Sequence, residues 1–125
     1  MSFAALGAVA AAGSLGAVAR HLAVQWLHGQ QLGAPWATAL VNVLGCFGFG
    51  WCWALGQGRW SPLLMAAVLA GFFGAFTTFS SFAFDSQQLL AERRWLLLVG
   101  NVVGQNVLGL GALLGGIAVA DWLRG

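Results

Sequence analysis

The sequence is poor in charge. Five basic and three acidic side chains are spread over 125 positions, 6% of the chain, where soluble domains carry about 25%. Asp85, Glu92 and Asp121 are the only carboxylates, and each falls at the end of an apolar stretch or in a loop. No carboxylate lies at membrane depth, where a proton-coupled pump would want one. Cys46, Cys52, His21 and His28 form no cluster with metal-ligand spacing. The two thiols read as packing residues and the two imidazoles as interfacial. No nucleophile–base pair, phosphate loop or zinc motif is present, so the sequence does not read as an enzyme, and nothing in it calls for a nucleic acid.

What fills the chain is apolar. Hydrophobic residues make up 60% of it and mean hydropathy is +0.85. Four stretches, residues 3–27, 36–55, 61–84 and 95–120, are each near or above the roughly 20 residues that an apolar helix needs to cross a bilayer. The expected fold is an all-α membrane domain of four transmembrane helices spanning residues 1–125. The first stretch reads as a span rather than a removable leader: Met1 to Leu6 has no positive charge, and three more spans follow. Trp26, Trp36, Trp60, Trp95 and Trp122 sit at span ends as an aromatic belt.

Four spans place both termini on one side, with Arg59 and Arg124. The opposite side has Arg93 and Arg94, and Arg20 lies toward that end of the first span. This near balance gives the positive-inside rule almost nothing to act on. Either five Arg are too few to vote, or the chain inserts both ways and pairs with an inverted copy. Glycine recurs in every span, including the pairs Gly100/Gly104 and Gly111/Gly115. Small residues let helices approach in lipid, where packing drives association. A bundle this small is expected to form at least a dimer.

The third span holds the densest chemistry. Thr77, Thr78, Ser80 and Ser81 lie among Phe76, Phe79 and Phe82. A lipid-facing helix has no need of four hydroxyls. A broken helix does, because backbone groups freed in lipid must find partners, and Gly71 and Gly74 just before the hydroxyls would permit a break. Freed carbonyls suit a small cation and freed N–H groups suit an anion. Phenylalanine ring edges carry partial positive charge and can face an anion without holding it too tightly for conduction.

Amides complete the pattern. Asn42 follows Thr38 by one helical turn, so the two share a face. Asn101 and Gln105 do the same in the fourth span, next to Asn106. Such amides can simply bind neighbouring helices, for about 0.6–2 kcal/mol each. They also offer the N–H donors that an anion requires.

These residues resemble the CrcB/Fluc fluoride channels. The resemblance is carried by Gly16-Ala17-Val18-Ala19-Arg20, by Thr38-Ala39-Leu40-Val41-Asn42-Val43-Leu44-Gly45, and by the run from Gly71 to Phe82. It implies passive exit of fluoride through an antiparallel, dual-topology homodimer in the bacterial inner membrane. It also implies two fluoride paths, a third helix broken near its middle and a structural sodium ion at the dimer centre. By motif, Asn42, Phe79 and Phe82 would line the fluoride path, joined by Thr38 and Ser81 and, from the fourth span, by Asn101 and Gln105. Gly74 and Thr77 would offer carbonyls to sodium, two from each subunit, while Arg20, Thr78 and Ser80 would brace the break. Two departures stand out. Asn101 and Gln105 occupy the fourth-span positions where the family often has a tyrosine and a serine, and Asp85 stands where it usually has glutamate. A small dual-topology multidrug exporter is the rival of similar size, but it needs a carboxylate in the first span, which has none. A structural subunit of a larger membrane complex would explain the glycines but not the hydroxyl–Phe run.

Overall fold

A computed structural model describes residues 2–125. Among them there is no strand. Helix α1 (Phe3–Gly29) starts at Ser2, whose hydroxyl accepts from the Ala5 N–H, a standard N-cap. Helix α2 (Trp36–Gly56) follows a short turn. The third span is composite. It contains α3 (Pro62–Met65), a π-helical stretch (Ala66–Phe73), α4 (Gly74–Phe76) and, after an interruption, α5 (Phe79–Ala91). Ser61 caps its start and Pro62 takes the first helical position, where its missing N–H costs nothing. Helix α6 (Trp95–Arg124) closes the chain. All four spans are long and apolar enough to cross a membrane.

Two close pairs build the bundle, and glycine makes both. In the α2/α6 pair, a methyl group at Gly50 would strike the Leu113 carbonyl, and one at Gly116 would strike the Phe47 carbonyl. In the pair of α1 with the π-helical stretch, Gly16 lies against the Phe72 carbonyl and Gly71 against Val9 and Ala12. Helix α5 packs on α6.

Little is buried inside a single chain. Among the described residues Val41 and Leu89 are large side chains almost fully enclosed, while Leu15, Leu22, Leu44, Leu96, Leu108 and many others face outward. Water would not tolerate so continuous an apolar surface. Lipid does, which makes this a multi-pass membrane protein.

Candidate functional site: a broken helix beside an amide row

The third span breaks at Thr77 and Thr78, both in extended conformation (φ −80°, ψ 158° and φ −147°, ψ 109°). Glycine does not make this break. Gly74 is helical (φ −61°, ψ −32°), and Gly71 serves the contact with α1. The expectation that Gly71 and Gly74 open the helix is corrected in that respect: threonines form the break, and α2 holds it open.

Asn42 is the holder. Its Oδ1 accepts from the Thr78 N–H at 2.7 Å, and its Nδ2 donates to the Thr78 carbonyl at 3.1 Å. In an unbroken helix that N–H would bond to the Gly74 carbonyl; the side chain of α2 takes it instead. Gly45, one turn away, lets Thr77 and Phe76 press against α2. Thr77 folds its hydroxyl back onto the Phe73 carbonyl at 2.9 Å. From α1, Arg20 reaches the Thr77 carbonyl at 3.5 Å.

Beyond the break, Thr78 caps α5. Its Oγ1 accepts from the Ser81 N–H at 3.2 Å, donates to Ser81 Oγ at 3.1 Å and lies 3.2 Å from Ser80 Oγ. Three of the four hydroxyls therefore form one capping cluster. Two sets of backbone groups remain unpaired by the helix, the carbonyls at the end of α4 and the first N–H groups of α5.

A cavity of about 210 Å³ opens beside the break, lined by Asn42, Cys46, Thr77, Thr78, Phe79, Phe82, Gln105 and Asn106. No ionisable acid or base other than the Cys46 thiol borders it. The two pore-candidate rings differ: Phe82 is buried at 9% exposure and Phe79 is open at 78%, with centroids 5.4 Å apart. Phe76 turns away and stacks on Phe72, so the three phenylalanines do not make a single stripe.

The structure thus brings together Asn42, Thr77, Thr78, Phe79, Phe82 and Gln105. Asn101 is one step removed: it is buried and accepts from Gln105 Nε2 at 2.8 Å, while Asn42 Nδ2 donates to Gln105 Oε1 at 2.9 Å. Ser80 and Ser81 sit in the capping cluster outside the cavity lining. Thr38 is buried on α2 and takes no part in either network. Cys46 was missed as a lining residue, although it follows Asn42 by one turn and so shares its face. Asp85 is buried further along α5, with Oδ2 unpaired. It borders a separate cavity of about 260 Å³ with Gln88, Glu92 and Arg94.

Residues 7–117 match the family model described as CrcB-like protein, Camphor Resistance (CrcB). The chain belongs to the CrcB-like family. Among the curated members of this CrcB-like family, a protein of Solidesulfovibrio magneticus named fluoride-specific ion channel FluC is 46% identical over 121 residues, covering 91% of this chain and 94% of the relative. Proteins of the same name from Nitrosococcus oceani and Rhodospirillum centenum are 43% and 42% identical. They cover 93% and 91% of their own lengths and 90% of this chain in each case.

Proposed function

We propose that the protein is a fluoride-selective channel that lets the ion leave the cytoplasm passively, working as an antiparallel dual-topology homodimer in the bacterial inner membrane. The observation that carries this reading is the Asn42-held break beside a cavity with no carboxylate. Fluoride is small and strongly hydrated, so a narrow path must replace its water with several donors. At the cavity wall Gln105 and Asn106 each keep one N–H uncommitted, while Asn42, Thr77 and Thr78 spend their donors within the protein and hold the broken segment in place. The N-terminus of α5 adds a positive dipole end, and the rings of Phe79 and Phe82 add weakly positive edges. The names of the relatives point the same way.

Two features support pairing with an inverted copy. A Cβ at Gly100, Gly104, Gly111 or Gly115 would meet nothing within one chain, which leaves small residues free for close helix contact. Phe79 is also largely open although it borders the cavity, so a second copy would complete its surroundings.

The break also fits a sodium ion. Oxygen atoms are the right ligand type for a hard cation, and the Gly74 and Thr77 carbonyls have both lost their helical donors. Arg20 engages Thr77 at only 3.5 Å, which leaves that oxygen a second lone pair. Sodium bound there would supply a fixed positive charge beside the anion path. Thr78, Ser80 and Arg20 would brace the loop that presents these carbonyls.

The test is fluoride-electrode efflux from potassium fluoride-loaded liposomes carrying the purified protein, started with valinomycin. Rapid fluoride release with no chloride release in matched vesicles is expected. Vesicles that release neither ion would refute the channel reading.

A further inference from the structure

We infer that Ser86 is a positioning residue for the anion path, because it terminates a one-directional hydrogen-bond chain that orients the amides of Gln105 and Asn101. The inference rests on the channel reading above. The chain begins at the Thr78 N–H, which can only donate, and enters Asn42 Oδ1 at 2.7 Å. Asn42 Nδ2 then donates to Gln105 Oε1 at 2.9 Å, Gln105 Nε2 to Asn101 Oδ1 at 2.8 Å, and Asn101 Nδ2 to Ser86 Oγ at 3.0 Å. Ser86 finally donates to the Phe82 carbonyl at 2.8 Å, a group that can only accept.

Both ends are backbone groups of the same short segment. The chain leaves Thr78, crosses α2 and α6, and returns to Phe82, enclosing the turn that carries Phe79 and Phe82. Because one end must donate and the other must accept, the amides have one consistent orientation. Reversing any of them sets donor against donor or acceptor against acceptor. Asn42 spends its second N–H on the Thr78 carbonyl. Gln105 donates only once within the chain and lines the cavity, so it keeps one N–H for a ligand, while the buried Asn101 fixes its orientation from behind. A serine hydroxyl committed to the carbonyl one turn back must present a lone pair to Asn101. It thereby keeps the Asn101 nitrogen pointing toward α5 and the Asn101 oxygen pointing toward Gln105.

Ser86→Ala removes that terminus. Fluoride efflux from liposomes is expected to fall about tenfold, the scale of one mispaired buried amide. Ser86→Thr keeps a hydroxyl able to bond the same carbonyl and should restore efflux to within about twofold, which a simple volume effect would not do. In an Asn101→Ala background, Ser86→Ala should cause no further loss, because the two residues act in series. Unchanged efflux in Ser86→Ala, with fluoride passing normally in the wild type, overturns this inference and leaves the channel reading standing. So does an additive loss in the double variant, or a Ser86→Ala protein that aggregates on gel filtration. A wild type that passes no fluoride overturns both.

Discussion

The two sides of the Thr77–Thr78 break differ in what they offer. On the α4 side, carbonyl oxygens lose their helical donors, and only Arg20 comes to meet the Thr77 carbonyl. On the α5 side, N–H groups lose their acceptors, and a dense set of side chains gathers: Asn42 on the Thr78 N–H, the Thr78 hydroxyl on the Ser81 N–H, and Gln105 behind Asn42. One side is a set of acceptors suited to a cation; on the other, the Thr78 and Ser81 N–H groups are taken by these caps, and the spare Gln105 N–H with the positive end of the α5 dipole suits an anion. A helix interrupted for two residues thus makes two neighbouring environments of opposite preference with no carboxylate lining the cavity beside it, Arg20 being the charged side chain that reaches the break. In a membrane this matters, because a charged residue at mid-depth costs about 2.5–3.5 kcal/mol on insertion scales.

Removing Asn42 should break the comparison most severely. Asn42→Leu deletes three hydrogen bonds and leaves the Thr78 N–H free to rejoin the Gly74 carbonyl, closing the helix and erasing both environments together. Fluoride efflux should fall by about two orders of magnitude or more, since each stranded buried group is worth roughly 1–3 kcal/mol and 1.4 kcal/mol is tenfold. Liposome efflux on protein that still elutes as a folded species checks this.

The anion side alone is tested by its rings. Phe82→Ile keeps apolar volume but loses the ring edge and the pairing with Phe79. A loss of up to about tenfold is expected, matching aromatic contacts of roughly 0.5–1.5 kcal/mol, with melting temperature little changed. Loss of folding instead of flux would assign the ring to packing.

The α5 cap should give a smaller effect. Thr78→Val removes the acceptor for the Ser81 N–H and the hydroxyl contacts of Ser80 and Ser81, at about 0.5–2 kcal/mol. Thr78→Ser should recover most of that stability in a thermal unfolding assay, because its hydroxyl can take the same place.

Gly74→Ala should do least. The residue is helical, and a new Cβ would come no closer than 3.6 Å to the Leu69 carbonyl. Alanine favours helix by about 1 kcal/mol, so the protein should be equally or slightly more heat-stable, with efflux within about twofold. A large loss would return the break to glycine.

Much of this was legible in the sequence. Span number and type follow from apolar length, and the break from four hydroxyls where lipid would reject them. Asn42 was readable as a polar residue seven positions into its helix. Where the break falls was less readable, because glycine marks close helix contact as well as backbone freedom: Gly71 touches α1 and opens nothing. The hydroxyl of Ser81 reads as a pore group by motif, yet an N-cap at Thr78 gathers it locally together with the bracing Ser80. Ser86 carries no motif. It matters only because α5 packs on α6 at the height of Asn101, a long-range fact that no local pattern encodes. Asn101 and Gln105 were legible as a shared face but not as links in a directed chain.

The opposite preferences on the two sides of the break are tested most directly by the reversal potential of single channels in a sodium fluoride gradient. The two ions then have equilibrium potentials of opposite sign. If the carbonyl side holds its cation while the donor side conducts, the current must reverse at the fluoride potential. Reversal at the sodium potential would contradict the assignment of the path to anions.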